Sequence, residues 1–111
     1  MTEEESADII EGAIRHSINK PTGELTKADL EKVTALRLDH KQLTSVKGLE
    51  KLTQLTKLAL GNNQLTDVKG LEKLTQLTYL ELYDNPALTK AQIAELQKAL
   101  PECEIHRNPT K

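Results

Sequence analysis

The residues best able to do chemistry are few. The chain has three histidines, His16, His40 and His106, and one cysteine, Cys103. Cys103-x-x-His106 has the spacing of half a metal site. A structural zinc takes four ligands, and no second paired motif accompanies this one. Cys103 falls among aliphatic positions, where a small thiol packs as a hydrophobe. His40 sits at a turn beside an apolar run and reads as a solvated side chain. The serines are Ser6, Ser17 and Ser45, and none lies in a G-x-S-x-G setting. The glycines are dispersed at 12, 23, 48, 61 and 70, so no loop cradles a phosphate. Glu3, Glu4, Glu5 and Asp8 crowd the start of a helical pattern, where the helix dipole favours negative charge. The expectation is therefore a chain with no catalytic group, no metal and no cofactor. Its two tyrosines, Tyr79 and Tyr83, are its only aromatic residues, and what positions them decides whether they matter.

The positioning elements repeat. Residues 42–60 read QLTSVKGLEKLTQLTKLAL and residues 64–82 read QLTDVKGLEKLTQLTYLEL, an offset of 22 with 16 of 19 positions identical. The differences are Ser45 against Asp67, Lys57 against Tyr79, and Ala59 against Glu81. The frame extends backwards, with Val33, Leu36, Leu38 and Leu43 matching Leu55, Leu58, Leu60 and Leu65. It extends forwards through Leu77, Leu80 and Leu82, and Leu100, Cys103 and Ile105 open a partial fourth turn. The unit L-x-x-L-x-L-x-x-N-x-L resembles the leucine-rich repeat. Its x-L-x-L core is a short strand whose alternate side chains point to opposite sides. Leucines 36/38, 58/60 and 80/82 are placed inward, with Cys103 on the register of Leu58 and Leu80. Asn63, Asn85 and Asn108 stand where the chain leaves each strand, and an amide there can satisfy backbone groups of the neighbouring turn. The first repeat has Lys41 instead, which is tolerable where that turn borders a cap.

Both ends read as caps. Ile9, Ile10, Ala13, Ile14 and Ile18 line one face of a helix across residues 6–19, which Pro21 ends. A second helix starts in residues 25–33 with Thr26 as N-cap, and LTKAQIAEL (88–96) repeats the device with Thr89 and Gln92. Segments 45–52 and their copy, interrupted by Gly48 and Gly70, read as 3₁₀ turns.

Residues 33–88 resemble the bacterial internalin-type leucine-rich-repeat domain of the 22-residue class, and residues 4–32 resemble its helical N-terminal cap. The resemblance implies an α/β fold: a right-handed solenoid with a short parallel sheet on the concave side and helices or 3₁₀ turns on the convex side. The expected organisation is one domain over residues 1–111. Residues 1–32 form the cap, 33–54, 55–76 and 77–99 the repeats, and 100–111 a C-terminal cap strand and tail. The family also implies that the strand face binds another protein.

Alternation sets out that face. The outward columns are Ala35-Lys57-Tyr79, Arg37-Ala59-Glu81 and Asp39-Gly61-Tyr83, with His40, Asn62 and Asp84 at the adjoining turns. The candidate binding residues are Arg37, Lys57, Tyr79, Glu81, Tyr83 and Asp84, with both tyrosines expected to be exposed. Tyrosine gives large, rigid contact area with a polar tip. The formal net charge of −2 provides no field for nucleic acid or an anionic membrane. No apolar run reaches the roughly 18 residues of a membrane span. The expected function is a monomeric protein-interaction module. The alternative is a structural solenoid unit without ligand, either a fragment or an engineered minimal scaffold. No leader is expected in this chain, and a cytoplasmic or, after leader removal, a secreted or cell-surface location both fit.

Overall fold

The first helix begins at a capping box. Thr2 accepts a hydrogen bond from the Glu5 amide, and the Glu5 carboxylate accepts from the Thr2 amide. With three acidic residues in its first turn, α1 runs Glu3–Ser17 and buries Ile10 and Ile14. It starts earlier than the apolar stripe alone indicates because the cap lies one turn upstream of the stripe. The same box, built from Thr26 and Asp29, starts the short α2, Lys27–Leu30.

In this computed structural model residues 1–107 are described. After the two cap helices come β1 (Ala35–Arg37), a 3₁₀ turn at Leu49–Lys51, β2 (Lys57–Ala59), a 3₁₀ turn at Leu71–Lys73, β3 (Tyr79–Glu81), α3 (Lys90–Ala99) and β4 (Glu104–His106). The strands form one parallel sheet in chain order. Leu36 pairs with Leu58, Leu58 with Leu80, and Leu80 with Ile105. The leucine column is buried from Leu36 and Leu38 to Leu80 and Leu82. Parallel strands require a return path on the other side of the layer, and the 3₁₀ turns and α3 provide it. Gly48 and Gly70, at φ 103° and 107°, start the two 3₁₀ turns in a backbone conformation that costs other residues a steric penalty.

The asparagines act as anticipated. Asn63 accepts from the Lys41 and Leu43 amides at 3.1 and 2.9 Å and donates to the Leu38 and Leu60 carbonyls at 3.0 and 2.9 Å. Asn85 accepts from the Leu65 amide and donates to the Leu60 and Leu82 carbonyls. Each amide thus stitches its own turn to the one before, where backbone groups would otherwise be buried unpaired. The expected third rung, Asn108, and the end of the polar tail lie outside the described residues. Lys41 does border the cap. There Ser6 of α1 is fully buried, and its hydroxyl accepts from the Thr44 amide at 3.0 Å.

One register differs from the sequence expectation. Leu58 and Leu80 are 22 residues apart, but Leu80 pairs with Ile105, 25 residues on. Cys103 therefore does not take the place of Leu80. Its amide donates to the Leu100 carbonyl as those of Leu55 and Leu77 donate to Leu52 and Leu74, so it fills the core position one step before the strand. The cause is α3. A helix of 10 residues replaces a 3₁₀ turn of three and lengthens the return path. Cys103 remains buried, as its small apolar thiol suggests, and burial raises its pKa.

Candidate protein-binding face

The sheet register brings the outward residues together in rows. Ala35, Lys57, Tyr79 and Glu104 are neighbours across the four strands, and Arg37, Ala59, Glu81 and His106 form the next row. Of the six candidate residues, Arg37 and Lys57 are exposed, Tyr79, Glu81 and Tyr83 are half-buried, and Asp84 is exposed at the turn. Lys57 lies beside Tyr79, whereas Arg37 and Glu81 are separated by the strand carrying Ala59. The Arg37 guanidinium lies 3.6 Å from the Asp39 carboxylate, an exposed contact.

The tyrosines are less exposed than expected, and each for a local reason. The Tyr79 ring lies 4.8 Å from the His106 ring at an interplanar angle of 49°. Its hydroxyl donates to Glu81 Oε2 at 3.1 Å. That bond to a carboxylate favours the protonated phenol, and burial and the Glu104 charge push the same way, so the Tyr79 pKa is raised. Tyr83 lies against Gly61: a Cβ on that glycine would come within 3.0 Å of the ring. The glycine leaves room for the ring beside the end of the neighbouring strand. Ala59 and Gly61 are both buried, which makes a low floor between the Arg37 and Tyr83 sides.

Backbone geometry fixes the rim. His40, Asn62 and Asp84 share a left-handed conformation at φ 60°, 57° and 58°. Short polar side chains tolerate that region better than most, so these residue types at 22-residue intervals mark the turn out of each strand.

Two face residues escape the sequence reasoning: Glu104 and His106. His106 Nε2 and Glu104 Oε2 are 2.7 Å apart, and His106 also meets the Tyr79 ring. Placing Cys103 on the Leu80 register leaves both on the outward side but shifts them by one row, Glu104 to the level of Glu81 and His106 to that of Tyr83, whereas they pair with Tyr79 and Glu81. The alternation Glu104-Ile105-His106, polar-apolar-polar, is the signal that places them correctly. The same geometry separates Cys103 from His106: the thiol is in the core and the imidazole is on the strand face. Among the described residues no group of three or more His, Cys, Asp or Glu side chains could hold a metal. Nor, among them, is any helix long and apolar enough to cross a membrane.

The two-copy family model for leucine-rich repeats matches residues 31–73 and 53–98. Internalin C2 of Listeria monocytogenes is similar at 32% identity and a TM-score of 0.72, over 85% of this chain and 41% of that one. A leucine-rich-repeat protein of Leptospira interrogans is similar at 36% identity and a TM-score of 0.62, over 73% of this chain and 21% of that one. Internalin F of Listeria monocytogenes is similar at 25% identity and a TM-score of 0.61, over 90% of this chain and 35% of that one. None of the curated proteins matches. The chain spans between 21% and 41% of the length of these three structures.

Proposed function

From the premise that the chain belongs to the leucine-rich-repeat family and is internalin-like, we propose that it is a monomeric protein-interaction module acting through its strand face, without catalysis. Such repeats generally serve protein interaction, and the finer assignment rests on the face itself. The observation that carries it is the placement of both aromatic residues of the chain there. Tyr79 is held by Glu81 and His106, and the Tyr83 ring lies against Gly61. A ring already fixed, as that of Tyr79 is, loses little conformational freedom on binding, which suits an interface hot spot. Arg37, Lys57, Glu81 and Asp84 give the surrounding polar contacts. Copies of one repeat that differ at two face positions, 57/79 and 59/81, also suit a surface tuned separately from its scaffold.

The test is capture of a partner on the immobilised chain, followed by calorimetric titration with wild type, Tyr79→Ala and Tyr83→Ala. Each substitution is expected to weaken binding about tenfold or more, with the fold retained by circular dichroism. Unchanged affinity in both variants would favour the ligand-free structural unit.

A further inference from the structure

The face has a charge polarity that runs along the solenoid. Its β1–β2 side carries Lys57 and Arg37, the latter beside Asp39, and its β3–β4 side carries Glu81 and Glu104, the latter beside His106, with Asp84 at the adjoining turn. Among the described residues Lys57 and Glu81 form no ion pair. Glu81 instead accepts from the Tyr79 hydroxyl, which orients its carboxylate. Opposite charges left apart on one rigid sheet, Lys57 and Glu81 on adjacent strands and Arg37 and Glu81 two strands from each other, are recognition elements for a ligand of the reverse polarity.

Resting on the strand face as the binding surface, we infer that the partner presents a slim polypeptide segment crossing the strands. It carries a carboxylate over Lys57 and Arg37 and a lysine or arginine over Glu81 and Glu104. Lys57 lies two strands from Glu104, as Arg37 does from Glu81, so the partner's charges stand about 10 Å apart. Tyr79, between them, adds a ring face to the cationic end. The dimensions select a segment over a globular surface. Four strands of three residues span only about 14 Å by 10 Å, far below the roughly 800 Å² per partner of a standard interface. The same polarity could pair with a second copy turned through a two-fold axis. The small area disfavours that occupant, and the test includes it.

The experiment selects ligands for the full chain from a random-peptide display library. It then titrates the enriched peptides against wild type, Lys57→Glu, Glu81→Lys, the double reversal and Tyr83→Ala. All variants are first checked for an unchanged circular dichroism melt. The expected result is enrichment of peptides with one acidic and one basic residue at a consistent separation. Each single reversal should weaken their binding about tenfold, and the double reversal should prefer peptides with the two charges exchanged. Binding should also weaken in about 0.5 M salt, where exposed charges are screened. Enriched peptides that lack the pattern, or no enrichment, would overturn the inference. Peptides lost with Tyr83→Ala but indifferent to the reversals would overturn the charge pattern and leave the binding face intact, whereas indifference to Tyr83→Ala as well would remove both. A wild-type dimer in sedimentation, lost in each single reversal and restored by mixing Lys57→Glu with Glu81→Lys, would assign the face to a second copy.

Discussion

Gly61 and Tyr83 determine each other. A methyl group on residue 61 would sit 3.0 Å from the ring, closer than a carbon contact permits, and the ring lies at the surface, where it can swing out. Gly61→Ala should therefore lower the melting temperature only slightly while weakening any contact that uses Tyr83. With no tryptophan in the chain, tyrosine fluorescence in a Tyr79→Phe background reports the displaced ring. An unchanged spectrum and unchanged affinity would show that the ring's position is not set by the glycine. Cys103 presents the opposite case, a residue whose role lies wholly in the core. Its buried thiol should react slowly with thiol reagents in the native state. Cys103→Ser, which buries a hydroxyl among aliphatic groups, should cost about 1–3 kcal/mol in urea unfolding. That Cys103 is buried is legible from its aliphatic surroundings. That Tyr83 covers Gly61 is not, because alternation gives the side a residue faces and not how far its ring leans across the next strand.

The elements were largely legible because each start is chemically marked: the boxes at Thr26 and Thr89 and the leucine alternation of β1 to β3 agree with the structure. β4 was misplaced because a repeat frame assumes a constant return path, and α3 changes that length through contacts no periodicity records. The asparagine rungs carry the next prediction. Asn63 satisfies the Leu43 amide and the Leu38 and Leu60 carbonyls at once. Asn63→Ala should cost about 3 kcal/mol or more, since several buried groups lose their partner together. Asn85→Ala should behave alike, and a loss below about 1 kcal/mol in chemical unfolding would mean that the ladder is not what joins the turns. A second element, α2, is tied to the cap loop by Asp29, whose place in the Thr26 box was legible but whose ion pair was not, because its charge partner lies nine residues away. Asp29 lies 2.6 Å from the Lys20 ammonium and accepts from the Thr26 amide, and these hold its carboxyl well below the usual carboxylate range. A carboxylate with a depressed native pKa stabilises the fold fully above its unfolded value of 3.8. It progressively loses that contribution as the pH falls below it towards the native pKa. Wild type should therefore lose stability more steeply than Asp29→Asn between about pH 4 and pH 2, and parallel acid-unfolding curves would refute the linkage.

At the scale of the whole molecule, a stack of turns is stable only when its ends are closed, because each repeat contacts only its neighbours and leaves a strand edge and an apolar end exposed. Here α1 closes the first end in two ways. Ile10 and Ile14 join the leucine core, and Ser6 accepts the Thr44 amide, a group no preceding repeat is present to bind. Removal of residues 1–32 would uncover the β1 edge and apolar groups around Leu36 and Leu38 in one step, a contiguous surface that favours association. The truncated chain should aggregate or melt without cooperativity. A milder variant, Ser6→Ala, should keep the helix and its apolar packing and lose the hydroxyl's bonds to the Thr44 amide and hydroxyl and to the Met1 sulfur, at a cost of about 1–3 kcal/mol. The two losses separate the apolar cover from the polar one. A soluble 33–111 fragment with a cooperative melt would show that the repeats close on themselves. A Ser6→Ala chain as stable as wild type would show that the isoleucines of α1 alone make the cap.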